Sequence, residues 1–216
     1  MRNRIYFLIT LMLVIGLLGA GCSKTKLPGG DPTPIGTVGN AFTGYLIGLT
    51  DFTAQVTENE DGIATIHCLG TVTDPNIIEF APYLNSSSMA SLDEITGEFS
   101  VDLKVKFTEN GVADYNASDG KGSTLVNYDA KVGDTYKCQD AEGESYTREV
   151  TRRSETDDWF YGFLIIKTIT IEEPVGGPVL DKIVYEANHR FGIVNIKAVL
   201  QDGTEYSFAI FSENEN

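Results

Sequence analysis

The run Glu98–Thr108, EFSVDLKVKFT, restricts the fold more than any other part of the chain. Phe99, Val101, Leu103, Val105 and Phe107 alternate with Ser100, Asp102, Lys104 and Lys106, and a period of two places all five apolar side chains on one face of an extended strand. A helix would scatter them around its axis. One apolar face and one charged face describe an antiparallel strand that covers a core on one side and meets water on the other. Val101, Leu103 and Val105 are therefore expected to be buried, and Asp102 and Lys104 exposed.

Shorter alternations recur at Phe52, Ala54 and Val56, at Ala64, Ile66 and Cys68, at Val194 to Leu200 and at Tyr206 to Ile210. Glu60-Asp61-Gly62, Asn110-Gly111, Glu142-Gly143 and Asp202-Gly203 stand between such runs, each with a glycine that reaches positive φ without strain. The pattern predicts hairpins, most clearly Ile193–Leu200 with Glu205–Phe211. Only Ser87 to Ile95 reads as helical, with Ser88 or Ser91 as its cap. The expected fold class is all-β: an antiparallel sandwich or curved barrel-like sheet built from hairpins, with at most one short helix. No internal repeat of fixed period is visible.

The N-terminus has a different grammar. Arg2 and Arg4 precede an apolar run from Ile5 to Leu18, too short to span a bilayer and of the right length for the hydrophobic region of a signal peptide. Gly19, Ala20, Gly21 and Cys22 follow, and three small residues before a cysteine resemble a bacterial lipobox, with Gly19 where leucine is commonest. That resemblance implies cleavage after residue 21, diacylation of the Cys22 sulfur and a membrane contact through the lipid. Ser23 favours outer-membrane sorting. Residues 22–40, rich in proline and glycine, read as a tether, and residues 41–216 as the β-rich domain, with an alternative division near 120–124.

Loss of residues 1–21 removes Arg2 and Arg4 and no acid, so the net charge moves from −15 to −17. Such a surface repels phosphate, and no basic stripe offsets it, which argues against nucleic acid as a partner. Catalytic signatures are missing too: there is no G-x-S-x-G, H-E-x-x-H, C-x-x-C or P-loop. The acids at Glu58, Glu60 and Asp61 lack the spacing of a calcium loop. No metal or cofactor is expected.

Three groups remain as site candidates. In TDDWFYGF, Trp159 and Tyr161 beside Asp157 and Asp158 would suit stacking on sugar rings if exposed; core packing is the alternative, because Trp159, Tyr161 and Phe163 share one parity with Ile165. His189, in YEANHRFG between two strand-like runs, is a candidate ligand contact. Cys68 and Cys138 each lie on the apolar parity of a strand, which fits a disulfide and a pair of buried free thiols equally well.

KVGDTY, REVTRRSETDD and KIVYEANHRFGIVNIK, within Lys131 to Lys197, resemble a pattern of uncharacterised exported lipoproteins of Bacteroidetes-type bacteria, in which VGD opens a hairpin series and FGIV starts the penultimate strand. The resemblance implies an envelope setting and a β-rich fold, and transfers no site. The expected function is a non-catalytic, lipid-anchored envelope protein at the outer membrane, a binding or structural module with a glycan or an envelope protein as partner. The alternative is a hydrolase acting on glycans or peptides through carboxylates.

Overall fold

The computed structural model describes residues 27–81, 91–117, 120–139, 143 and 145–216. The signal segment and Cys22 lie outside these residues. Twelve strands form one antiparallel sheet: β1 (Ala41–Tyr45), β2 (Leu49–Glu60), β3 (Ile63–Val72), β4 (Glu98–Thr108), β5 (Gly111–Asp114), β6 (Ser123–Asn127), β7 (Thr135–Gln139), β8 (Ser145–Arg153), β11 (Ile169–Pro174), β12 (Leu180–Asn188), β13 (Gly192–Leu200) and β14 (Glu205–Ser212). Two more, β9 (Trp159–Tyr161) and β10 (Leu164–Ile166), make a separate hairpin. The spatial order β6-β5-β4-β3-β2-β1-β14-β13-β12-β11-β8-β7 brings the first and last strands face to face. They meet without a ladder, Asn127 N donating to the Tyr136 hydroxyl at 3.3 Å. The chain is thus all-β, a barrel-like sheet closed everywhere but at one seam.

The sheet consists of two meanders joined where β1 pairs with β14. Their entry turns match. In Thr37-Val38-Gly39-Asn40, Gly39 N donates to Val56 O at 2.8 Å and Val56 N to Asn40 O at 2.9 Å; in Lys131-Val132-Gly133-Asp134, Gly133 N donates to Val150 O at 2.8 Å and Val150 N to Asp134 O at 2.9 Å. Gly39 and Gly133 take φ of +91° and +88°, where a Cβ would be strained. The spacing recurs as well, 17 residues from Gly39 to Val56 and from Gly133 to Val150, and Phe42, Phe52 and Thr53 stand where Tyr136, Tyr146 and Thr147 do, while most other side chains between them differ.

One core joins both meanders: Phe42, Val56, Ile66, Phe107 and Val126 pack in the same cluster as Tyr136, Val150, Ile169 and Ile171. There is no division near 120–124; Ser123–Asn127 is a strand of the common sheet. Strand β4 keeps its two faces, with Phe107 buried and Asp102 and Lys104 exposed, but Val101, Leu103 and Val105, expected to be buried, are half-buried against the core. Asp102 accepts from His67 Nδ1 across the outer face at 2.7 Å, an exposed pair that adds little to stability.

Two expectations are corrected. The tether is short, because from Pro32 onward the chain packs into one end of the barrel. Pro32 bridges to Thr108, Pro34–Gly36 forms a 3-10 turn, and Ile35 is 1% exposed. The side-chain amides of Asn214, Asn40 and Asn59 donate to the carbonyls of Pro34, Ile35 and Gly36 at 3.2, 2.7 and 2.7 Å. A segment poor in apolar residues is held because its buried carbonyls find donors. This end of the barrel, with the turns at 61–62, 109–110 and 189–191, is called the plugged rim below.

The helix, too, lies elsewhere. Ser91–Ile95, the described part of the expected helix, makes a bridge at Leu92 to Phe99 and a turn in which Asp93 Oδ1 accepts from Ile95 N and Thr96 N at 2.8 and 3.1 Å. Side-chain bonds of this kind compete with helix formation. The α-helix of the described residues is α1 (Pro75–Phe80), started by Asp74, whose side chain accepts from Asn76 N at 2.9 Å, and by Pro75 in the first turn. It buries Ile77 and Phe80 with Leu180, Ile183 and Ala198 at the opposite rim.

Candidate functional site

The stretch TDDWFYGFLII folds into the hairpin of β9 and β10, which lies across the outer face of the barrel rather than in the sheet. Trp159 pairs with Ile166, Phe160 with Ile165 and Tyr161 with Leu164 around the turn Gly162-Phe163, where Gly162 has φ +57°. Residues opposite one another in an antiparallel pair share a face. Trp159, Tyr161 and Ile166 therefore turn toward the barrel, where they pack with Phe191, Val194 and Phe211. The Tyr161 ring lies 4.7 Å from Phe191 and 4.8 Å from Phe211, centroid to centroid.

The outer face has no such cover. Phe160 is 80% exposed and Ile165 51%, Phe163 at the turn is fully exposed, and Leu164, although it pairs with the inward Tyr161, is 45% exposed beside the turn. Burial of such a side chain is worth roughly 1.5–3 kcal/mol, so a hairpin that leaves four of them in water has a contact surface in reserve. Its base is fixed by polar contacts. Ser154 N donates to Thr168 O at 2.8 Å, and the Asp158 carboxylate accepts from Ser154 Oγ at 2.6 Å and from Arg152 at 2.5 Å.

The structure thus brings Trp159, Tyr161, Asp157 and Asp158 onto one hairpin and, of the two readings of its rings, follows core packing. Tyr161 is buried and Trp159 half-buried, so their ring faces are taken up by the barrel and not offered for sugar stacking. Asp158 holds the hairpin base, and Asp157 is exposed. His189 is exposed in the β12–β13 turn beside Arg190 and Phe191, close to the hairpin, with its carbonyl accepting from the Asn216 side-chain amide at 2.6 Å.

Cys68 and Cys138 are free, buried thiols and form no disulfide. Parity put both inside the barrel without making them neighbours: one is on β3 and the other on β7, at the far end of the strand order. Burial, then the charge of Asp102, pushes the Cys68 thiol up to about 12, and burial raises Cys138 with Arg148 opposing it. Since the thiolate is the reactive form, iodoacetamide at pH 8 should label neither cysteine in the native protein and both after unfolding. Rapid native labelling at either position, read by mass spectrometry, would contradict their burial.

The sequence reading missed a second feature, the buried cation Arg148. It is 1% exposed and faces the barrel interior. Its guanidinium donates to Glu173 Oε2 at 2.5 Å, Asp114 Oδ2 at 2.9 Å, the Tyr146 hydroxyl at 2.9 Å, Ser123 Oγ at 3.1 Å and Thr124 O at 3.3 Å. Burial alone would lower its pKa, but Glu173 and its other neighbours outweigh that and hold it well above its ordinary value. The partners sit on β5, β6, β8 and β11, the strands on either side of the seam. Arg148 therefore replaces side-chain to side-chain the ladder that β6 and β7 lack. The signal was present: Arg148 shares the inward parity of Tyr146 and Val150, as Glu173 shares that of Ile169 and Ile171.

A wide, open depression of about 720 Å³ on the outer face of β3 and β4 is lined by Asp51, Leu69, Thr71, Asp93, Glu98 and Phe99 among others. Hydrolysis of a glycoside requires a carboxylic acid held protonated beside a second carboxylate. Asp93 is the reverse, its carboxyl lowered by the backbone N–H groups of Thr96 and Ile95. Burial does raise the Glu186 carboxyl, but that residue is on β12 and spends an oxygen on Thr170 Oγ1 at 2.8 Å. Among the described residues no group of three His, Cys, Asp or Glu is placed to hold a metal ion, and no helix is long and apolar enough to cross a membrane.

Comparison with protein-family models, with curated proteins and with solved structures finds no match to this chain.

Proposed function

We propose that this chain is a non-catalytic, lipid-anchored envelope protein, a binding module whose contact element is the hairpin β9–β10. The observation that carries the reading is the exposed apolar set Phe160, Phe163, Leu164 and Ile165 on a hairpin that contributes nothing to the sheet. The anchoring half rests on Arg2, Arg4, the apolar run Ile5–Leu18 and the small residues before Cys22. The outer membrane is the proposed location, with the acyl chains as the membrane contact. The hydrolase alternative has less support, since Asp93, in the broad depression on β3 and β4, is committed to backbone amides.

Fractionation of cells tests the anchor. The parent should pellet with the membranes and enter detergent, and Cys22→Ala should appear in the soluble fraction. A Cys22→Ala chain that still partitions into detergent with the envelope would contradict the lipidation.

A further inference from the structure

The apolar hairpin and the start of the described chain are at the same rim of the barrel. Pro28 packs against Gly111: a Cβ on that glycine would lie 3.0 Å from the proline ring. Pro32 bridges to Thr108, and Gly30 stands over Asn110. These are contacts with the β4–β5 turn. A Cβ on Gly192 would be 3.3 Å from Ile35 and 3.7 Å from Phe107, which places the β12–β13 turn at the same rim. The Tyr161 ring packs, tilted, 4.7 Å from Phe191 of that turn, so the hairpin lies at the rim as well.

From Cys22 to Leu27 is five residues, a span of at most about 18 Å when fully extended. An acylated Cys22 therefore holds the plugged rim close to the bilayer. Two further apolar side chains face outward there. Val38 and Val132, in the matching entry turns of the two meanders, are 56% and 60% exposed. Tyr45, Ile47 and Ile95 are exposed at the opposite rim, where a short lead from the anchor cannot bring them to the same surface.

We infer that the hairpin β9–β10 is a second membrane contact: Phe160, Phe163, Leu164 and Ile165 enter the interfacial layer of the leaflet that carries the anchor and hold the barrel end-on. The inference rests on the lipidation of Cys22. A diacylated Cys22 already gives stable attachment, and what a second, protein-borne contact adds is a fixed orientation. With a mature net charge of −17 the attraction is not electrostatic, so it comes from apolar burial into neutral lipid.

The test uses Trp159, the only tryptophan of the chain, as a built-in depth probe on the hairpin. The acylated mature protein is reconstituted in phosphatidylcholine vesicles with and without bromine on the acyl chains. Brominated lipid should quench the parent several-fold, and Phe160→Ser with Phe163→Ser should lose most of that quenching while the protein still floats with the vesicles. Should the double variant melt lower than the parent, Phe163→Ser alone, at a fully exposed turn position, keeps the comparison valid. Parent emission insensitive to brominated lipid, or equal quenching in parent and variant, would overturn the inference and leave a protein as the hairpin's partner. Flotation reports the anchor separately: a parent that fails to float refutes the lipidation, whereas one that floats unquenched refutes only the hairpin contact.

Discussion

Arg148→Met is expected to destabilise the domain by roughly 3–5 kcal/mol, the cost of leaving buried carboxylates without their cation. Methionine restores much of the volume but no donor, so Glu173 and Asp114, with side chains 5% and 16% exposed, would face one another and Ser123 across the seam without the guanidinium. Because Arg148 joins β5 and β6 to β8 and β11, the damage should begin there: amide exchange in Ser123–Asn127 and Thr135–Gln139 should quicken more than in β2 or β3. Replacing Glu173 and Asp114 together with Arg148 by apolar residues should recover part of the loss, since removing a whole buried network costs less than breaking it. A single variant with an unmoved melting temperature would show that the seam is held by something else.

Ile171→Ala should cost roughly 2–5 kcal/mol, since it deletes a fully buried side chain from the centre of the common core. For a chain of this size that is a drop in melting temperature on the order of 10 °C. Leu103→Ala, half-buried on β4, should cost less than Ile171→Ala. Differential scanning calorimetry of the two variants provides the comparison. Because one core serves both meanders, each variant should melt in a single transition. Two separated transitions, or a Leu103→Ala loss larger than that of Ile171→Ala, would contradict the packing described.

Alternation made the sheet legible, and the same rule explains where the site was misread. Along one continuous strand Trp159, Tyr161, Phe163 and Ile165 would share a face. The two-residue turn at Gly162-Phe163 resets the phase, pairing Ile165 with Phe160 and turning both outward. The sequence shows that these residues are aromatic and apolar, but only the position of the turn decides which of them reach water. Ile35 escaped notice for a different reason. A single isoleucine among prolines and glycines looks like linker, and the amides that hold it come from Asn40, Asn59 and Asn214, the last at the far end of the chain. Helix α1 was readable from Asp74-Pro75, a strong start signal, but the helix is only six residues long, too few for periodicity to register. Arg148 was readable in parity, and its meaning depended on two acids, Asp114 and Glu173, that share its inward parity on other strands.

The orientation of the barrel on the membrane is the most direct test of the whole account. Hydrogen–deuterium exchange of the acylated mature chain, compared between detergent-free vesicles and the Cys22→Ala chain in solution, should show vesicle-dependent protection at Trp159–Ile166 and in the turns holding Val38 and Val132, with no change around Ile47 and Ile95 at the opposite rim. Protection centred on the opposite rim, or exchange along Trp159–Ile166 that is the same with and without the bilayer, would contradict it.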